Sequence, residues 1–210
     1  MGLLNKVLGT LYGTAIGDAL GMPTTFMTRE TIKQRYGFVD KFIEPPSGSF
    51  PHSSLKAGMY TDDTELTFAL ARSIIREKRV NPEAVAAELI KWVQENDALE
   101  GTIIGPSTRK AIENMLNGMP VELTGRSGTT NGCAMKISVV GIFDSSRSYG
   151  RLLDDVIKAC MPTHYTGTAI SGAMAVATAV KLGINGNMNP IQISHEAIKM
   201  AELAGKLIDG

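Results

Sequence analysis

No stretch of this chain alternates apolar and polar residues in the way a half-buried strand must, and apolar positions return instead at three- and four-residue steps. Leu4, Val7, Leu8, Leu11, Ala15, Ile16 and Ala19 fall on one stripe of a helix running toward Gly21 and Pro23. Glu65 to Ile75 has the same period and ends in a basic cluster, Arg76 to Arg79, which suits the negative end of a helix. Asn81-Pro82-Glu83 is a cap with proline at the first helical position and opens an amphipathic helix through Trp92. Further helices are expected over 107–116, closed by Gly118, and over 163–182 and 189–208, with another apolar stretch from Cys133 to Phe143. Between 38 and 60, Pro45-Pro46, Gly48, Pro51 and Gly58 break any regular element into a long loop. The expected class is all-α, and with no β-α-β rhythm, repeat or linker the 210 residues read as one domain.

Composition supports helix and narrows the partners. Hydrophobic residues make up 43% and aromatics only 6%, so the core is built from Ala, Leu, Ile, Val and Met. Lys plus Arg and Asp plus Glu are equal at 21 each, leaving no basic stripe for a nucleic acid or an anionic membrane. The apolar N-terminus contains Lys6 and Asp18 and matches neither a signal peptide nor a membrane span. Cys133 and Cys160 form no C-x-x-C pair, so they read as small buried hydrophobes in a reducing cytoplasmic protein rather than as a disulfide or zinc framework.

The residues that can carry chemistry start at Thr61-Asp62-Asp63-Thr64. Two carboxylates and two hydroxyls within one turn are hard oxygen donors suited to Mg2+ or Ca2+, and equally good caps for the positive end of the helix that follows. The loop Gly128-Thr129-Thr130-Asn131-Gly132 is either an interhelical turn or a place where backbone comes close to a ligand. His164 follows Thr163 just before an Ala/Gly-rich helix, and can be a ligand contact or a cap. Asp18 is expected to hydrogen-bond nearby backbone outside the site, and His195 to sit on the surface.

Gly17-Asp18-Ala19-Leu20-Gly21-Met22-Pro23, then Thr61-Asp62-Asp63-Thr64, Gly105-Pro106-Ser107-Thr108, Asn131-Gly132-Cys133-Ala134-Met135-Lys136 and Thr163-His164 occur in an order that resembles the ADP-ribosylglycohydrolase family. The likeness runs through essentially all 210 residues and corresponds to roughly the N-terminal two-thirds of that family. It implies an orthogonal multi-helix bundle whose cleft holds one or two Mg2+ ions and an ADP-ribosyl group. Thr61, Asp62 and Asp63 then stand where the family places metal ligands, with Asp62 or Asp63 as proton acceptor for water. Gly128, Thr129, Thr130, Asn131, Gly132 and His164 stand where it contacts substrate, an ADP-ribosylated protein or small ADP-ribosyl compound.

Three departures shape the expectation. Thr25 occupies the place of a family glutamate, Lys136 replaces an arginine and loses its bidentate fork, and the family's second Asp-rich metal motif is absent. The chain is then a fragment, half of a split enzyme completed by another chain, or a truncated relative that binds without turnover. Structural members of the family, such as the jellyfish J1 crystallins, make a non-catalytic role an alternative. An amphipathic last helix without its successors should favour self-association or a partner chain.

Overall fold

The computed structural model describes residues 2–101, 103–186 and 188–209, so the terminal residues Met1 and Gly210 of the expected 1–210 domain lie outside the described residues. Among those described there are ten α-helices and no strand: α1 (Leu3–Gly21), α2 (Arg29–Tyr36), α3 (Asp62–Glu77), α4 (Pro82–Glu95), α5 (Pro106–Leu116), α6 (Val121–Thr124), α7 (Ser138–Phe143), α8 (Tyr149–Cys160), α9 (Gly167–Asn185) and α10 (Pro190–Asp209). A 3₁₀ turn, Met22–Thr24, extends α1.

Local chemistry starts and stops these helices. The Thr61 hydroxyl accepts from the Asp63 N–H, Asn81 Oδ1 accepts from the Glu83 and Ala84 N–H groups, and Ser148 and Thr166 cap α8 and α9 in the same manner. Lys78 and Gly186, both with left-handed backbone, close α3 and α9. α2, α6 and α8 were not foreseen from the sequence. α8 is the instructive case, because Leu152, Val156 and Ala159 give it a buried face and Ser148 gives it a start, with the charged Asp155 also on that buried face.

The core joins Leu66, Leu70 and Ile74 of α3 to Val85, Leu89 and Trp92 of α4, Leu152 and Val156 of α8, and Ile170, Met174 and Ala177 of α9. Each Val, Leu, Ile or Met side chain so withdrawn from water contributes about 1.5–3 kcal/mol. α9 is long and apolar enough by length and composition to cross a membrane, but it packs against α7, α8 and α10 as a central helix does. Small residues allow this: a Cβ on Gly141 of α7 would meet the Ala177 carbonyl and Val180 of α9.

Two expectations need correction. Cys133 and Cys160 are fully buried as expected, but they are bonded to each other, with their Cα atoms 5.5 Å apart across 27 residues. Sequence spacing could not suggest this, because the packing of the α8 C-terminus beneath the 131–137 turn is what brings the sulfurs together. The inference from unpaired cysteines to a reducing compartment loses its premise. The apolar stripe of α1 is also split: Ala19 is buried, whereas Leu4, Leu8, Tyr12 and Ile16, four residues apart, are exposed.

Candidate active site

The N-terminus of α3 opens into a cavity of about 900 Å³. Thr61, Asp62 and Asp63 line it, together with Thr130, Asn131 and Gly132 from the expected ligand loop. The sequence therefore named both the acidic and the loop contributions to this cavity. Gly128, Thr129 and His164 do not line it.

Asp18 does. Its carboxylate accepts four hydrogen bonds from the first turn of α3: Oδ1 from the Thr61 hydroxyl at 2.8 Å, and Oδ2 from the Thr61 N–H at 2.8 Å, the Thr64 N–H at 3.1 Å and the Thr64 hydroxyl at 2.6 Å. The expectation that Asp18 bonds backbone is met, but its partners are the site itself, so its exclusion from the site is corrected. The geometry also orients Thr61. Its single hydroxyl proton goes to Asp18 and one lone pair receives the Asp63 N–H, which leaves the other lone pair for a cation or ligand.

Asp62 and Asp63 are held in an uncomfortable state. Burial, followed by the repulsion of Asp63 and Asp18, pushes the Asp62 carboxyl up to about 7, although Lys136 pulls against the rise. Burial and Asp18 push Asp63 up to about 6, and the Thr61 hydrogen bond opposes them. A cation between them would relieve this stress. Two carboxylates and the Thr61 hydroxyl fit one magnesium ion in donor chemistry, with water completing its six positions. Among the described residues no group of three or more His, Cys, Asp or Glu is arranged to hold a metal, and both oxygens of Asp18 are engaged. The set therefore suits one ion rather than two.

Thr130 rests on a buried polar chain. Lys136, fully buried and lowered by desolvation to about 8, donates to the Thr163 hydroxyl at 3.2 Å. His164 is fully buried, with Nδ1 2.9 Å from Thr163 Oγ1 and Nε2 2.8 Å from Thr130 Oγ1. Desolvation and then Lys136 lower its imidazole to about 3, so it is neutral. Lysine has no acceptor, so Thr163 receives its proton and turns its own toward Nδ1. The Nε2–H then donates to Thr130, whose hydroxyl proton is left for the cavity. His164 thus meets the cavity only through Thr130.

The loop is fixed to the α8–α9 junction by the Tyr165 N–H on the Gly125 carbonyl at 2.7 Å and the Thr166 hydroxyl on the Gly128 carbonyl at 2.7 Å. A Cβ on Gly128 would overlap the Thr163 carbonyl oxygen, and one on Gly132 would overlap the His164 ring, so close approach demands glycine at both. Thr25, singled out in the sequence as standing in the place of a family glutamate, lines the cavity, and sequence reasoning missed Phe26, Phe50 and His52, which also line it. They come from loops without periodicity, and only folding gives them a common neighbour. His195, as expected, is exposed.

The family model for ADP-ribosylglycohydrolase matches residues 1–207. The chain belongs to that family. It is similar to the Escherichia coli protein YegU, an uncharacterized protein, at 32% identity over 86% of this chain and 54% of that one. It is 26% identical to the Pseudomonas putida ADP-ribosylarginine hydrolase Tri1 over 87% of this chain and 48% of that protein. A solved structure titled ADP-ribosylglycohydrolase-related protein complex superposes with a TM-score of 0.67 at 25% identity, covering 94% of this chain and 60% of that one. The aligned part of the chain thus spans about half to three-fifths of the length of these relatives.

Proposed function

We propose that this chain carries the α3 half of an ADP-ribosyl hydrolase site and takes part in magnesium-dependent cleavage of the glycosidic bond between the distal ribose of ADP-ribose and an acceptor such as an arginine side chain. The observation that carries this reading is the meeting, in one cavity, of the stressed Asp62–Asp63 pair with a loop that presents the Thr130 hydroxyl. The family match and the activities named for its relatives point the same way.

Thr61, Asp62 and Asp63 would hold the ion, whose chemistry is to orient ribose hydroxyls and acidify water. Asp62 or Asp63 accepts a proton from the attacking water, with a basicity already near neutral. Thr130 donates toward an anionic oxygen of the ligand, and the Gly132 backbone allows close approach. The negative cavity opposes no positive charge that builds on the ribose.

The thermal unfolding midpoint tests this reading, because a ligand that binds only the folded state raises it. ADP-ribose at a hundredfold excess over its Kd adds about 2.7 kcal/mol, which is a rise of roughly 5–10 °C for a chain of this size. The rise should require Mg2+. An unchanged midpoint with both present would sink the proposal.

We also propose that the exposed stripe Leu4, Leu8, Tyr12 and Ile16 on α1 receives the portion of the relatives' fold that this chain does not match. With the stripe uncovered, this chain on its own should self-associate through it, and Leu8→Glu should return it toward monomer in light scattering. A wild-type chain that stays monomeric at high concentration contradicts this.

A further inference from the structure

Two phenylalanines at the lip of the cavity have no part in the machinery above. Phe26 is 83% exposed and Phe50 67% exposed, and both line the cavity that holds Asp62 and Asp63. Phe26 also has a φ of 62°, in the left-handed region that bulky side chains avoid. The turn around it imposes this, through the Thr25 N–H on the Met22 carbonyl at 3.3 Å and the Met27 N–H on the Thr24 carbonyl at 3.0 Å. A large ring kept in water on strained backbone, at the mouth of a site, is poorly explained by folding alone.

The cavity has two walls with different attachments. One is built from Thr108, the 130–132 loop and the His164 chain behind it, and offers a hydroxyl donor and close backbone. The other is built from the end of α1, Phe26 and residues 50–52, and is tied to the acidic centre through Asp18, whose charge acts on His52. The first wall suits the phosphate-bearing part of an ADP-ribosyl group. The second offers aromatic faces and carboxylates, which suits the group on the other side of the bond that breaks.

We propose that Phe26 and Phe50 form the acceptor subsite and take a planar, cationic guanidinium against their ring faces. This rests on the ADP-ribosyl reading above and names the group that leaves. A guanidinium stacks on an aromatic face and is weakly hydrated, so it gains there what a compact ammonium does not. Charge agrees: Asp18 lines the same cavity and acts on His52, and burial lowers the His52 imidazole below its ordinary value, so it brings no positive charge at neutral pH. Arg109, the cationic side chain lining the cavity, donates to the carbonyls of Ala98, Leu99 and Gly101 and is directed at its own loop.

Titration of the chain with Nα-acetyl-arginine amide, followed by NMR, tests the subsite without ADP-ribose. The wild type should bind it more tightly than Nα-acetyl-lysine amide. Phe26→Ala and Phe50→Ala should each weaken binding about fivefold, as expected for the loss of one cation–π contact of about 1 kcal/mol, while Phe26→Trp retains it. ADP-ribose, which lacks the acceptor, should bind both alanine variants as it binds the wild type. No saturable binding of the arginine amide to the wild type, or equal binding by both alanine variants, overturns the subsite. Failure of ADP-ribose to bind the wild type instead overturns the ADP-ribosyl reading, and the arginine titration still decides the subsite.

Discussion

Replacing Asp18 with alanine should lower the unfolding midpoint by roughly 10 °C and abolish any Mg2+-dependent rise. Asp18 accepts four hydrogen bonds, two from backbone N–H groups at the α3 N-terminus and two from the Thr61 and Thr64 hydroxyls. Bonds to a charged group contribute about 1.5–3 kcal/mol each, but bonds sharing one carboxylate are not additive, so about 3–5 kcal/mol is the expected loss. At roughly 2–4 °C per kcal/mol for a chain of this length, that is the stated drop. The functional loss has a separate cause. Without Asp18 the Thr61 hydroxyl is free to rotate and its lone pair no longer faces the cavity. Asp18→Asn keeps the shape but offers one acceptor oxygen, and should fall between the two. A midpoint within about 1 °C of wild type for Asp18→Ala would show that the four bonds do not hold α3 in place.

Asp62→Asn and Asp63→Asn should act in opposite directions on stability and function. Both carboxyls titrate above their unfolded value, so the folded metal-free protein holds its protons more tightly than the unfolded chain. Stability is therefore greatest below the unfolded value of 3.8 and is lost as pH rises to about 6 and about 7. An amide carries no such charge. Each substitution should raise the midpoint of the metal-free protein at pH 8 by roughly 3–6 °C, from about 1–2 kcal/mol after allowance for partial solvation. The Mg2+-dependent rise requires both carboxylates ionised, so in the wild type it should grow from pH 5 to pH 8. In either variant it should fall by at least about 100-fold in apparent affinity. Scans at pH 5 and 8 with and without Mg2+ check both halves. Equal Mg2+ response in wild type and both variants would remove the acidic pair from the metal site.

The acidic pair, the glycine-rich loop and most of the helices were legible because each depends on neighbours in sequence. Asp62 and Asp63 share a helical turn, Gly128 to Gly132 is a continuous run, and periodic Leu66, Leu70 and Ile74 declare the buried face of α3 before any partner is known. Asp18 was half legible: its motif stood out, but its partners lie 43 and 46 residues away. α8 was missed although Leu152, Val156 and Ala159 recur at helical steps; Asp155 is the charged residue on that buried face, and it pairs with Arg151 and Lys158 of its own helix and with Arg147 just before it.

By itself, then, the sequence determined the helical class and marked the acidic pair at the start of α3 and the glycine-bearing loop, since backbone propensity, capping and side-chain chemistry act over a few residues. Tertiary structure alone decided that Cys133 bonds Cys160, that His164 packs behind Thr130 rather than lining the cavity, that Leu4, Leu8 and Ile16 face outward, and that Phe26 and Phe50 share a cavity with Asp62. Each of these depends on which surfaces helices and loops distant in sequence present to one another, and that is fixed by packing the whole core rather than by any local pattern.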